Sequence, residues 1–260
     1  MSQVPILMYH AIEDAQHPSA YTDRGDRVYA IQAEMFREQI SYLREHDFTV
    51  VTLQTLIGLQ SLPARAVVLT FDDGHASDCQ LALPILQEAG FHADFFITTG
   101  LTDQSHYLST EEIRKLAEAN MGIGSHSVSH RYMDDLSPEE VKAELRDSRD
   151  ALQSISHKPV TTFSAPGGRL HNALSSIAQE LGYDTICNSK FGLYKPGVSA
   201  FDIPRVALKN TMTMDVFKKI VHRDTRFMLR KQLGTSALTT AKKVLGTRGY
   251  EAIRSRLLKQ

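Results

Sequence analysis

The chain has 260 residues, 42% of them hydrophobic and 23% charged, which is enough to bury one large core, either as a single α/β barrel or as two smaller domains. Two cysteines, Cys79 and Cys187, form no metal-type spacing and are too few for a disulfide framework, so both are expected as reduced thiols. The net charge of −1 gives no expectation of a nucleic-acid partner, but it conceals an asymmetry: residues 207–260 hold 13 Lys/Arg against 3 Asp/Glu, a net +10, and residues 1–206 carry −11.

The chain opens on VPILMYH, residues 4–10, a candidate strand Pro5–Tyr9 closed by His10. Its apolar run is too short for a signal-peptide core or a membrane span and lacks a basic leader, which predicts a cytoplasmic location. Phe36, Ile40 and Leu43 then repeat at helical spacing. Apolar runs alternate with helix-period segments from there on, with candidate strands at Phe48–Val51, Ala66–Phe71, Ala93–Ile97, Gly122–Ser125, Thr162–Ala165, Asp184–Cys187 and Phe201–Val206. Such alternation predicts parallel strands with crossover helices, and seven or eight of them fit a barrel.

Ser109 with Glu112 and Ser137 with Glu140 are capping boxes, and Pro138 stands at a first helical position. Val141, Leu145 and Leu152 form the buried stripe of the second of these helices. After Val206 the pattern changes to two basic helical segments, roughly Met214–Leu229 and Leu238–Leu258, an extension (207–260) of the barrel (1–206).

In AVVLTFDDG, residues 66–74, a buried-type strand runs into two adjacent carboxylates and a glycine. Carboxylates at the carboxyl end of a barrel strand lie on the face where barrel active sites are built. Neighbouring strand residues point to opposite sides, so Asp72 and Asp73 take different roles only if the chain bends there, and Gly74 supplies the freedom. Alone, Asp-Asp-Gly also reads as a turn capping the next helix. About fifty residues on, GIGSHSVSH (122–130) ends another strand with His126 and His130, four apart, a pair able to face one cation or simply to be solvated or core histidines. One carboxylate and two imidazoles leave positions open for water and substrate, as a catalytic rather than a structural metal site does.

TFDDG at 70–74 and HSVSH at 126–130 resemble the first two motifs of the polysaccharide deacetylases, carbohydrate esterase family 4, over about residues 4–206. The resemblance implies a distorted (β/α)7-8 barrel, Asp72 as catalytic base, and Asp73, His126 and His130 as ligands of one divalent ion, Zn2+ first, with Co2+, Ni2+ or Fe2+ also accommodated. The third motif is normally Arg-x-Pro-aromatic-Gly and here reads SAPGG, 164–168: Pro166 and Gly168 match, Ser164 replaces the arginine and Gly167 the aromatic. A Gly167 N–H can still help hold an oxyanion. Arg205 and Arg169 are the candidates to partner the base in place of the lost arginine, Arg205 preferred. The family's Leu-x-His strand near the C-terminus is absent, and VPILMYH resembles the permuted branch in which that strand comes first, which makes His10 the general acid, with His222 as fallback. The chain has no tryptophan, so the family's usual active-site tryptophan has no counterpart.

The reaction so implied is hydrolytic removal of an acetyl group from an N-acetylated oligo- or polysaccharide. The cytoplasmic expectation favours a nucleotide-linked or lipid-linked biosynthetic sugar on an exopolysaccharide or cell-envelope pathway. The basic extension either lies on an anionic membrane surface or docks on the acidic barrel. A deformylase or cyclic-imide amidohydrolase, or an inactive carbohydrate-binding relative, remain as alternatives.

Overall fold

The computed structural model describes residues 3–21, 23 and 25–233. In chain order the elements are β1 (Ile6–Tyr9), β2 (Ile12–Glu13), β3 (Ile31–Gln32), α1 (Ala33–Glu45), β4 (Thr49–Val50), α2 (Leu53–Gly58), β5 (Ala66–Phe71), α3 (Leu83–Ala89) and β6 (Asp94–Ile97). They continue with α4 (Thr110–Glu118), β7 (Gly122–Ser125), α5 (Pro138–Ser156), β8 (Thr162–Ser164), α6 (Leu174–Glu180), β9 (Thr185–Phe191), β10 (Ile203–Ala207) and α7 (Met214–Val221), and 225–233 are again helical.

Seven parallel strands close a ring in the order β1, β10, β9, β8, β7, β6, β5 and back to β1. The N-terminal strand is therefore the closing stave, held between the last strand and β5. The eighth expected strand, Phe48–Val51, shrinks to the two residues of β4 and stays outside the ring. Its room is limited because β4 and β6 share one edge of β5: β4 pairs with Ala66 and Val67, β6 with Thr70 and Phe71.

Period-two alternation sorts the strand side chains into two layers. Leu7, Tyr9, Val67, Leu69 and Phe71 face outward under the helices, where they meet Phe36, Ile40 and Leu43 of α1 and Val141, Leu145 and Leu152 of α5 in one core. Tyr9, Phe71 and Phe95 stack in series with centroids 5.1 and 4.7 Å apart. Ile6, Ala66, Val68, Phe96, Cys187 and Ile203 fill the barrel, together with Leu53 and Leu56 of α2. Both capping boxes form, at Ser109/Glu112 and Ser137/Glu140, and both cysteines are free and buried.

The expected helix Met214–Leu229 is broken. Arg223 adopts a left-handed conformation, φ 57°, and its guanidinium donates to the carbonyls of Gln3 and Ala64, while the Asp224 carboxylate accepts from the Phe227 N–H and starts the next helix. Phe217, Ile220, Val221 and Met228 belong to the main core, so this part of the extension packs on the barrel, and the strand at the proposed boundary runs on to Ala207. The second segment, 238–258, lies outside the described residues.

At the amino end of β6 the buried Asp94 accepts a hydrogen bond from the Leu53 N–H at 2.8 Å, and burial pushes its carboxyl up to about 7. The unfolded chain ionises this group from pH ~4, so its neutral form favours the fold below that pH and the contribution is lost as pH rises towards 7, by up to roughly 4 kcal/mol. Asp94→Asn keeps the acceptor and removes the titration. Denaturation midpoints of mutant and wild type should therefore nearly coincide at pH 4 and separate in the mutant's favour by pH 8; parallel profiles would show that Asp94 does not titrate on unfolding.

Candidate functional site

All ring strands are parallel, so the residues that follow them gather on one rim. The inward alternation of β5 through Val68 and Thr70 carries on to Asp72, which is 2% exposed. Asp73 then turns left-handed at φ 79°, one residue earlier than the glycine alone would suggest, and Gly74 follows at the same angle. A Cβ on Gly74 would lie 3.0 Å from the Ile97 side chain, so the turn is closely packed as well as strained. The bend aims the two carboxylates at different partners.

Asp72 faces Arg205, which arrives from β10 and is fully buried. Its Nη1 and Nη2 donate to Asp72 Oδ1 and Oδ2, both at 2.7 Å. The other donors go to the Asn188 carbonyl (3.1 Å), Thr70 Oγ1 (3.2 Å) and Ser164 Oγ (2.7 Å), so all five guanidinium hydrogens have an acceptor. Ser164 Oγ in turn donates to Asp72 Oδ2 at 3.1 Å. Ser164, where an arginine was expected, thus joins the site as a short hydroxyl beside a guanidinium supplied by another strand. Burial alone would raise the Asp72 carboxyl; Arg205 and the nearby His126 outweigh it and hold the group below its ordinary value.

Arg169 is not at the site. It is half-exposed, pairs with Asp134 and Asp135 through hydrogen bonds of 2.8 Å, and lies over the Tyr132 ring at 4.5 Å. Two surface carboxylates next to the β8 loop capture it before it could reach the barrel interior. His222 is also elsewhere, at the end of α7 against Tyr42 and Phe48.

Asp73 Oδ1 lies 3.3 Å from His126 Nε2 and 3.2 Å from His130 Nε2, and the three candidate ligand atoms fall within 4.8 Å of one another. His126 is buried, and its Nδ1 stands 2.7 Å from the Ser164 carbonyl, which requires Nδ1–H and leaves Nε2 as the nitrogen that faces Asp73. The HSVSH segment is a loop with left-handed turns at Ser127 and His130, not a helix. Ser127 Oγ accepts from the His130 N–H, and Glu144 of α5 accepts from the N–H groups of Val128 and Ser129. Glu144 went unread in the sequence because it lies on a helix face with no motif of its own. Burial pushes the Asp73 carboxyl up, but hydrogen bonds from His126, His130 and His75 bring it well below its usual range. For His130 the Asp73 contact overrides burial and raises the imidazole. Two imidazole nitrogens and a carboxylate oxygen converging this closely fit a divalent ion of the zinc type.

His10 follows β1 onto the same rim. Its ring packs on Tyr29 with centroids 4.7 Å apart, its buried Nδ1 has no hydrogen-bond partner among the described residues, and burial lowers the imidazole despite the pull of Asp73 and Asp72. After β8, Pro166–Gly168 form a tight turn in which Gly167 takes φ 61° and Gly168 φ 67°. The Gly168 N–H is spent on the Ala165 carbonyl. A Cβ on Gly167 would come within 2.6 Å of the Tyr132 ring, so the missing motif aromatic leaves no gap: Tyr132 occupies that space.

His10, Asp72, Asp73, His126, His130, Gly167 and Arg205 all border one cleft of about 1030 Å³. Tyr21, also on its wall, was not singled out from the sequence, since nothing in its loop marks it.

The polysaccharide deacetylase family model matches residues 60–186. A Bacillus subtilis protein named as a polysaccharide deacetylase, YxkH, is 24% identical over 83% of this chain and 75% of its own length. The Escherichia coli poly-β-1,6-N-acetyl-D-glucosamine N-deacetylase is 24% identical over 81% of this chain, which spans only 37% of that protein. Among solved structures, the Streptococcus pyogenes deacetylase PplD in complex with acetate superimposes with a TM-score of 0.74 at 23% identity, covering 85% of this chain and 98% of that one. IcaB from Ammonifex degensii gives 0.70 at 22% identity over 84% and 95%. The chain is thus similar to the polysaccharide deacetylases, through the family model over residues 60–186 and both motifs on one rim, and its ring has the fold of these barrels.

Proposed function

We propose that the protein is a metal-dependent N-deacetylase that hydrolyses the acetamide of an N-acetylglucosamine-containing saccharide. The observation that carries this reading is the convergence of Asp73, His126 and His130 beside an Arg205-clamped Asp72 on the same cleft wall. A divalent ion held by those three residues, zinc first by its donor set, would acidify a water and polarise the acetamide carbonyl.

The chain's own residues supply the proton handling. Asp72 Oδ2 already accepts from Arg205 and Ser164, whereas Oδ1 accepts from Arg205 alone, so Oδ1 has the lone pair with which to take the proton of an attacking water. Arg205 keeps Asp72 ionised near neutrality. We assign the oxyanion donor to the Gly167 N–H rather than to the neighbouring Gly168 amide, which is engaged by the Ala165 carbonyl. His10, which borders the same cleft, gives its proton to the departing amine.

For the finer substrate class we favour a lipid-linked N-acetylated sugar over a nucleotide-linked one. The same cleft is also lined by Phe191, Met212, Val216 and Phe227 and by Lys209 and Lys231, a combination suited to an apolar chain next to a phosphate. No helix among the described residues is long and apolar enough to cross a membrane. Acetate release from N-acetylglucosamine oligomers and from a lipid-linked N-acetyl sugar tests both levels. Activity in metal-loaded protein that disappears on chelation and returns with the ion is the expected result. Stoichiometric metal without acetate from any of these substrates would move the function to a formamide or imide substrate, or to binding alone.

A further inference from the structure

Asp73 has two oxygens, and the histidine pair accounts for one of them. The other, Oδ2, accepts a hydrogen bond from the Tyr21 hydroxyl at 2.7 Å. That phenol has a single proton, already committed to the carboxylate, so its 2.8 Å contact with His75 Nε2 requires the imidazole to be the donor. A relay results: His75 Nε2–H to Tyr21 Oη, and Tyr21 O–H to Asp73 Oδ2. His75 Nε2 also lies 3.5 Å from Oδ2 itself.

The relay is rigidly packed. His75 is 2% exposed, its ring stacks on Tyr107 at 5.2 Å, and Tyr21 meets it edge-on at 4.8 Å. Tyr21 comes from the loop between β2 and β3, and His75 follows directly on the Asp72–Gly74 turn, so two separate segments hold one oxygen. Neither residue was needed for the proton handling above.

We propose that Tyr21 and His75 are positioning residues of the metal site: by engaging Oδ2 they fix the rotamer of Asp73 and restrict it to a single-oxygen ligand through Oδ1. Groups that orient metal ligands in this way typically contribute ten- to a hundredfold to metal affinity. Binding both carboxylate oxygens to the ion would use up one of the positions that substrate and water need, so the same relay preserves the open side of the site. The inference rests on the metal reading of Asp73, His126 and His130.

The test is Co2+ and Zn2+ binding to full-length wild type, Tyr21→Phe and His75→Phe, by competition with a chromophoric chelator, alongside the visible spectrum of the Co2+ form and the melting temperature without metal. Tyr21→Phe keeps the ring against His75 and is expected to lose about tenfold or more in affinity, with an altered Co2+ absorption band as the carboxylate is freed, at unchanged metal-free melting. His75→Phe keeps an aromatic against Tyr107 and should fall between wild type and Tyr21→Phe. Wild-type affinity and spectrum in a folded Tyr21→Phe would overturn the proposal while leaving the metal site standing. A wild type that takes up no stoichiometric ion would overturn the metal reading itself, and the proposal with it.

Discussion

Arg205→Met should unfold far more readily than wild type, by about 3–5 kcal/mol in denaturant titrations near neutral pH, because it strands a buried carboxylate. Asp72 is 2% exposed and Arg205 is wholly buried, so water cannot replace the lost guanidinium. Thr70, Ser164 and the Asn188 carbonyl lose their donor at the same time. The double variant Arg205→Met/Asp72→Leu removes both charges and should recover most of the loss, since a buried ion pair and a well-packed apolar pair of similar volume are often nearly equal in stability. Recovery in the double variant with no trace of acetate release would separate the structural role of the pair from its chemical one. Equal stability of wild type and Arg205→Met would mean that Asp72 is not charged in the folded protein. Arg205→Lys is not a rescue, because an ammonium has three donors and no planar fork to span both carboxylate oxygens.

The second large effect is expected from Asp72→Asn. An amide is nearly isosteric and still offers Arg205 one oxygen, but it cannot take a proton, and loss of a positioned general base typically costs 10²–10⁴ in rate. The fall should appear in kcat with KM little changed, and metal affinity should stay close to wild type, because Asp73 rather than Asp72 faces the two histidines. Loss of metal along with activity would instead place Asp72 among the ligands. Activity within tenfold of wild type would move the base to another group on the cleft.

Much of this site was legible in the residues because its parts are local. The run AVVLTF ending in two carboxylates and a glycine marks a strand, its carboxyl end and a bend. HSVSH marks a second strand end with two donors. Both capping boxes and the apolar stripes of α1 and α5 are short-range patterns, and they form as read. Arg205 could be preferred to Arg169 from its strand-end position, but only slightly, because each is a single basic residue in a plausible loop or strand. The choice is made by Asp134 and Asp135, which lie 34 or 35 residues from Arg169 in the chain and capture it at the surface.

What the sequence by itself determined is therefore the class of fold, the two carboxylates and two histidines at strand ends, and the family resemblance they carry, since hydrophobic periodicity and motif spacing depend only on near neighbours along the chain. Which strands close the ring, how β4 is excluded by sharing an edge with β6, and how Tyr21, His75 and Glu144 come to hold the site were decided only in the tertiary structure. Those contacts join residues far apart in sequence or ones that carry no pattern, and a hydrogen bond is defined by distance and direction in space, which chain order does not record.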